Sequence, residues 1–198
     1  MLHSWSILPD PPLYQRGPDS EALIRVGCDT YQAAARYLHE LPYGRNSDRS
    51  DYRLVLPESR GTCSTKHALL GAVATEQGIL VTLTIGIYYM TEANTPGVGR
   101  VLAAHGLGGI PEAHCYLTHH GRRVDITRSD VSPESAIEQF EREWTITPAQ
   151  IGEHKVRLHQ AYLEKWLSQR QDLRLTTHEL WKIREDCIAA LGCAESGD

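Results

Sequence analysis

An α+β fold is predicted for this chain of 198 residues by three observations. A helix-like stretch, Arg60–Gly78, runs directly into Ile79–Met90, a segment rich in β-branched and aromatic residues. Two short extended segments, Ala113–Thr118 and Arg122–Thr127, surround a turn at His119–Gly121 and predict a hairpin. The last third carries helix-start signatures. Together they predict a central helix on a small antiparallel sheet, with flanking N- and C-terminal helices.

The central helix is the best specified element. Thr62 is a plausible N-cap and Cys63 falls at or beside the first helical residue. Ala68, Leu69, Ala72, Val73 and Glu76 keep a helical rhythm with one apolar face, and Gly78 supplies a left-handed stop. Before it, the prolines at 9, 11, 12 and 18 predict an irregular lead-in. Ser20–Val26 is too short to separate helix from strand. Asp29 or Thr30 caps a helix reaching about Leu41, which Pro42 and Gly44 end. Pro42–Asp51 is polar and turn-rich, hence a surface loop, and Arg53–Pro57 reads as a short extended segment.

After the strand, Thr91–Pro111 is glycine-rich and reads as a flap, with a helical turn at Arg100–His105. Ser132 and Pro133 open a helix toward Trp144. Thr147–Gln150 and Thr176–Glu179 are capping boxes that open two further helices, to about Gln169 and Gly192. Tyr88 and Tyr89 are adjacent on a strand, so one is expected in the core and the other toward a groove.

Composition bounds the function classes. A hydrophobic content of 41%, a charged content of 23% and a net charge of −5 describe an ordinary globular chain. They argue against nucleic acid and against an anionic membrane surface as partners. One domain over residues 1–198 is expected, its core at about 58–130 and a helical part at about 132–192. There is no apolar run of membrane-spanning length and no signal-peptide pattern. Five irregularly spaced cysteines, at 28, 63, 115, 187 and 193, suit a reducing compartment, and the cytoplasm is the expected location. No cofactor is called for, no recognised zinc spacing is present, and the residues do not disclose an oligomeric state.

Chemistry concentrates at Cys63. A thiol there faces the positive end of the helix dipole, which favours thiolate. Free cysteines are also among the most buried residues, so packing is the competing role. The hairpin supplies partners: His114 precedes Asp125 by eleven residues. With a tip at His119–His120 the two lie directly opposite. With a tip at His120–Gly121, His114 faces Thr127 and Asp125 remains on the same face, two residues along. Cys115 points to the other face. A thiolate, an imidazole and a carboxylate in that order form a nucleophile, an acid–base and an orienting group, with helix-start N–H groups for an oxyanion. His67, one turn after Cys63, is expected to pack or hydrogen-bond beside it, and His119 and His120 to be exposed.

The stretches RGTCSTKHALLGAVATEQGILVTLTIGIY and EAHCYLTHHGRRVDIT resemble the transglutaminase-like core, which is related to papain. The resemblance covers about residues 58–127. It implies Cys63 as nucleophile, His114 as base and acid, and Asp125 as orienter. It further implies acyl transfer or hydrolysis on an amide, peptide or isopeptide bond. Tyr116 stands where the family more often has tryptophan. The family's upstream oxyanion side chain has no clear counterpart, so Thr62, Tyr43, Asn46 and Tyr116 are the candidates for oxyanion or substrate contacts. Two other readings stay open. Arg-Gly-x-Cys at 60–63 is reminiscent of the arylamine acetyltransferases, which would imply a coenzyme A-dependent acyltransferase with the same triad. The alternative is a catalytically silent domain that binds peptides or, through its amphipathic C-terminal helices, other chains.

Overall fold

The computed structural model describes residues 4–129, 137, 139–170 and 172–193. Among them the architecture is mixed α and β, with six α-helices and a four-stranded antiparallel sheet. In chain order these are α1 (Pro18–Arg25), α2 (Tyr31–Glu40), α3 (Cys63–Gln77), β1 (Thr82–Met90), α4 (Gly99–Ala104), β2 (Ile110–His119), β3 (Arg122–Val124), β4 (Arg142–Ile146), α5 (Glu153–Ser168) and α6 (Thr177–Cys193). The strand order is β3-β2-β1-β4. The chain groups into two compact units. One comprises Met1–Ile85, His114–Ser129 and Trp144–Gly152; the other comprises Gly86–Ala113, Asp130–Glu143 and Glu153–Asp198.

In the first unit everything is arranged on α3. It is buried nearly all round, with only Thr75 exposed and Glu76 half-buried, where the sequence pattern predicts one apolar face. Small residues explain the difference. Ala68, Gly71, Ala72 and Ala74 let neighbours approach closely, and α1, α2 and the 3-10 helices at Tyr52–Val55 and Pro148–Gln150 all pack on it. The helix begins where the Thr65 hydroxyl accepts the Thr62 N–H at 3.0 Å and ends at Gly78 with φ of 69°. Ser20–Val26 resolves as helix, α1 running to Arg25 with Val26 as its C-cap, and Thr30 caps α2 by accepting from the Ala33 N–H.

Arg53–Pro57 is not extended; Tyr52–Val55 forms a 3-10 turn. Asp51 caps it at the Arg53 N–H, and both Tyr52 and Arg53 reach the buried Asp19, at 3.0 Å and 2.7 Å. Consecutive strand residues face opposite ways, so two neighbours converging on one carboxylate require a turn. The loop at 42–51 is irregular as expected, yet it buries Tyr43 and Asn46.

The hairpin takes the second of the two predicted registers. Leu117 pairs with Val124, Thr118 with Arg123 and His119 with Arg122. His120 and Gly121 both have positive φ, 47° and 73°, which gives the turn type whose twist suits a two-residue hairpin. The ladder stops at Val124, so Asp125–Thr127 continues without strand pairing.

In the second unit α6 packs against α4 and α5, and Glu112 of β2 pairs with Arg184 of α6. Tyr88 is 4% exposed and Tyr89 is 36% exposed, the division expected of adjacent strand residues. The predicted helix from Ser132 toward Trp144 lies partly outside the described residues, at 132–136 and 138. Where it is described, Arg142–Ile146 is strand β4, because the chain joins the β1 ladder, beginning with the Glu141 N–H on the Ile87 carbonyl at 2.7 Å. Both C-terminal capping boxes form, the Gln150 side chain accepting the Thr147 N–H and that of Glu179 the Thr176 N–H; the first, however, caps the 3-10 turn at Pro148–Gln150, and α5 begins separately at Glu153. Among the described residues no helix is long and apolar enough to cross a membrane.

The C-terminal end of α3 also builds α1. The Glu76 carboxylate accepts the backbone N–H groups of Asp19 and Ser20, at 3.0 Å and 2.6 Å, so a residue from another helix caps the first turn of α1. Gly17 permits this, since a Cβ there would stand 2.2 Å from the Glu76 Oε1. Glu76→Ala is expected to cost about 1–2 kcal/mol of stability, the range of a lost cap. Thermal unfolding should show a fall of roughly 2–4 °C per kcal/mol.

Candidate active site

Three elements of the first unit deliver the site: the start of α3, the middle of β2 and the segment just after β3. Cys63 is the first residue of α3 and is 8% exposed. The first-turn N–H groups beside it have no carbonyl four residues back within the helix, and they give this end its positive potential. The Ser64 hydroxyl lies 3.9 Å from the Cys63 sulfur.

His114 lies in β2 with its Nε2 2.6 Å from Asp125 Oδ2. Its side chain also hydrogen-bonds the Cys63 thiol, and with Nε2 taken, Nδ1 is the nitrogen left for sulfur. Loss of water around His114 opposes its charge. The facing Asp125 carboxylate, with Cys63, outweighs that and holds the imidazole well above the ordinary histidine range. For Asp125 the loss of water opposes ionisation, but the His114 charge and hydrogen bond hold its carboxyl well below the usual carboxylate range.

Asp125 is fixed by its own short motif. Its Oδ1 accepts from the Thr127 N–H at 2.9 Å and from the Thr127 hydroxyl at 2.5 Å, leaving Oδ2 for His114. The two oxygens are thereby assigned different work.

The turn into α3 is held by a chain of polar contacts. Thr65 donates its hydroxyl to Asn46 Oδ1 at 2.8 Å, and Asn46 Nδ2 donates to Glu58 Oε2 and to the Arg60 carbonyl, both at 3.0 Å. Both amide hydrogens of Asn46 are therefore spent on this scaffold, which bears on its expected role as an oxyanion donor. Tyr43 is buried and pairs by backbone with Gly61, through Gly61 N–H to the Pro42 carbonyl and Gly44 N–H to the Gly61 carbonyl, each at 3.2 Å. Thr62 gives its N–H to Thr65 and its carbonyl to the Lys66 N–H. Tyr116 is 1% exposed and lies near-parallel to the His114 ring at 6.2 Å. That places it in the core as a support for His114, without an open surface for substrate.

Two residues have more extensive roles than their sequence positions disclose. The buried Lys66 donates through Nζ to the Leu41 carbonyl at 2.5 Å and to the Thr127 carbonyl at 2.8 Å. His67, fully buried, lies 2.7 Å through Nδ1 from the Cys63 carbonyl and 2.9 Å through Nε2 from the Ile126 N–H. The predicted contact beside Cys63 is present. The link to the hairpin was not legible, because 59 residues separate His67 from Ile126. Cys115 is buried on the opposite strand face from His114. Among the described residues no cluster of three or more His, Cys, Asp or Glu is suited to a metal ion.

Compared with known protein families, curated proteins and solved structures, the chain finds no match.

The His114–Asp125 pair carries a defined pH signature. A raised histidine contributes stability in full below its unfolded pKa of about 6.5 and loses it as pH rises toward its folded value. A depressed aspartate contributes above about 3.9 and loses that on acidification. The difference in melting temperature between the native chain and His114→Gln should thus be greatest between about pH 4 and pH 6.5 and shrink above neutrality. Differential scanning fluorimetry across that range checks it. A difference that grows from pH 6.5 to pH 9 would contradict the pairing.

Proposed function

We propose that this chain is a thiol-dependent acyl-transfer or hydrolytic enzyme acting on an amide, peptide or isopeptide bond, built on a transglutaminase-like, papain-related core. The observation that carries this is the contact order Cys63–His114–Asp125, with the thiol at a helix start and the carboxylate 2.6 Å from the far imidazole nitrogen.

In this reading Cys63 and His114 exist as a thiolate–imidazolium pair. The thiolate forms a bond to the carbonyl carbon, and the developing oxyanion is directed to the N–H groups of the first turn of α3. His114 gives its Nδ1 proton to the amine nitrogen, the C–N bond breaks, and the amine leaves a thioester on Cys63. Water or a second amine then attacks the thioester while His114 takes its proton, returning the thiolate. Asp125, its Oδ1 satisfied by Thr127, keeps Oδ2 for the His114 ring throughout and stabilises its charge. The oxyanion contact comes from backbone in this account, since the Asn46 amide is committed elsewhere. Cys28, Cys63, Cys115 and Cys187 are unbridged, which suits a reducing, cytoplasmic setting for such a thiol.

The sequence Arg60-Gly61-Thr62-Cys63 favours one alternative, acyl transfer from a coenzyme A thioester. Two measurements test the reading. Iodoacetamide alkylation of Cys63 against pH should show an acid limb well below the ordinary thiol value of about 8.5, lost in His114→Ala. Mass spectrometry of the chain quenched with p-nitroanilides or with acyl-coenzyme A should show an acyl adduct on Cys63. An adduct from the anilide alone supports the amide reading, and one from the coenzyme A ester alone supports the alternative. A slow thiol, indifferent to His114, leaves a binding domain.

A further inference from the structure

We propose that His67 is a positioning residue of this site, a neutral spacer that sets the distance between the Cys63 turn and the Asp125 segment; the role rests on the catalytic reading above. Its partners dictate its protonation. A carbonyl only accepts, so the Nδ1 atom 2.7 Å from the Cys63 oxygen carries a hydrogen. A backbone N–H only donates, so the Nε2 atom 2.9 Å from the Ile126 nitrogen is a bare lone pair. Both nitrogens are used, and only the neutral Nδ1–H tautomer uses them.

The need for such a spacer follows from the end of β3. The register of the β2–β3 ladder ends at Val124, and the chain beyond it is tied to α3. The two residues that follow Asp125 are gripped from α3. His67 accepts from the Ile126 N–H, and Lys66 Nζ donates to the Thr127 carbonyl at 2.8 Å. The acid of the triad is therefore referenced to the helix that carries the nucleophile. Since His67 also binds the carbonyl of Cys63 itself, one rigid ring spans from nucleophile to acid segment. A shift of an ångström in such a spacing is costly to proximity-dependent chemistry.

Neutrality matters for a second reason. His67 Nε2 lies 3.6 Å from Asp125 Oδ1, and its ring stands edge-on to His114 with centroids 6.3 Å apart. A charged His67 would draw on the carboxylate that raises His114 and would repel the imidazolium beside it. Full burial pushes the His67 pKa down and keeps the ring neutral. The groups that face it are Cys63, His114 and Asp125.

Two conservative variants separate the two bonds. An Asn amide reaches the position of Nδ1 and keeps a donor for the Cys63 carbonyl, whereas a Gln amide reaches the position of Nε2 and keeps an acceptor for Ile126. The readout is the pH profile of Cys63 alkylation by iodoacetamide, with circular dichroism confirming the fold. His67→Asn is expected to slow alkylation at pH 6 about tenfold, the equivalent of one lost hydrogen bond, and to move the acid limb toward that of an ordinary thiol. His67→Gln is expected to restore most of that loss. Folded variants that both keep the native profile overturn the proposal. Because His67→Asn can fail to fold, 15N NMR of the imidazoles in the native chain provides a second measurement. A protonated Nδ1 and a bare Nε2 from pH 5 to pH 8 are expected; a charged ring or the opposite tautomer overturns the proposal. A native thiol that titrates normally and ignores His114→Ala instead overturns the catalytic reading, and this role with it.

Discussion

Burying the polar beginning of α3 is the constraint on which the site depends. Thr65, Lys66 and His67 all fall inside the unit, and a buried polar group without a partner costs about 1–3 kcal/mol, more when charged. Each must therefore be met by an acceptor or donor from another segment. Thr65 is met by Asn46 of the loop, Lys66 by the carbonyls of Leu41 and Thr127, and His67 by Ile126. Satisfying those three side chains draws the loop after α2 and the segment after β3 against the turn that carries Cys63. Stability and site assembly are here one requirement.

That arrangement divides labour between the sheet and the helix. The sheet places His114: β2 is a long, buried strand, and its register with β3 is set by a two-residue turn. The helix places Cys63 and, through His67 and Lys66, holds the backbone of Ile126 and Thr127, the two residues after Asp125. Thr127 then orients the carboxylate locally. The Asp125 carboxylate is thus fixed on one oxygen by Thr127 and on the other by His114, and in the proposed chemistry that keeps its geometry while the imidazole changes charge.

The far end of α3 performs a second structural task with the same economy of residues. Glu76 caps α1, while Gln77 accepts the Tyr14 N–H at 3.1 Å and donates to the Tyr14 carbonyl at 2.7 Å. The stretch 14–20, which joins the proline-containing lead-in to the first turn of α1, is ordered by the end of a helix about sixty residues away in sequence. Propensity alone could not have indicated it, because the capping group lies on another element.

Local chemistry was readable wherever it was decided locally. The Thr62–Cys63 start, the Gly78 stop, the Thr30 cap, the two C-terminal capping boxes and the shared face of His114 and Asp125 all follow from residue type and spacing within one or two turns. The sequence by itself thereby determined an α+β chain and the three residues on which the proposed chemistry rests. What only the tertiary structure decided depends on partners distant in sequence. The full burial of α3, the 3-10 turn that brings Tyr52 and Arg53 onto Asp19, the strand at Arg142–Ile146 and the commitment of Asn46 to the scaffold are of this kind. So is the bridge from His67 to Ile126. In each case the deciding interaction is a hydrogen bond or a packing contact whose second half is supplied by another segment, and local periodicity carries no record of it.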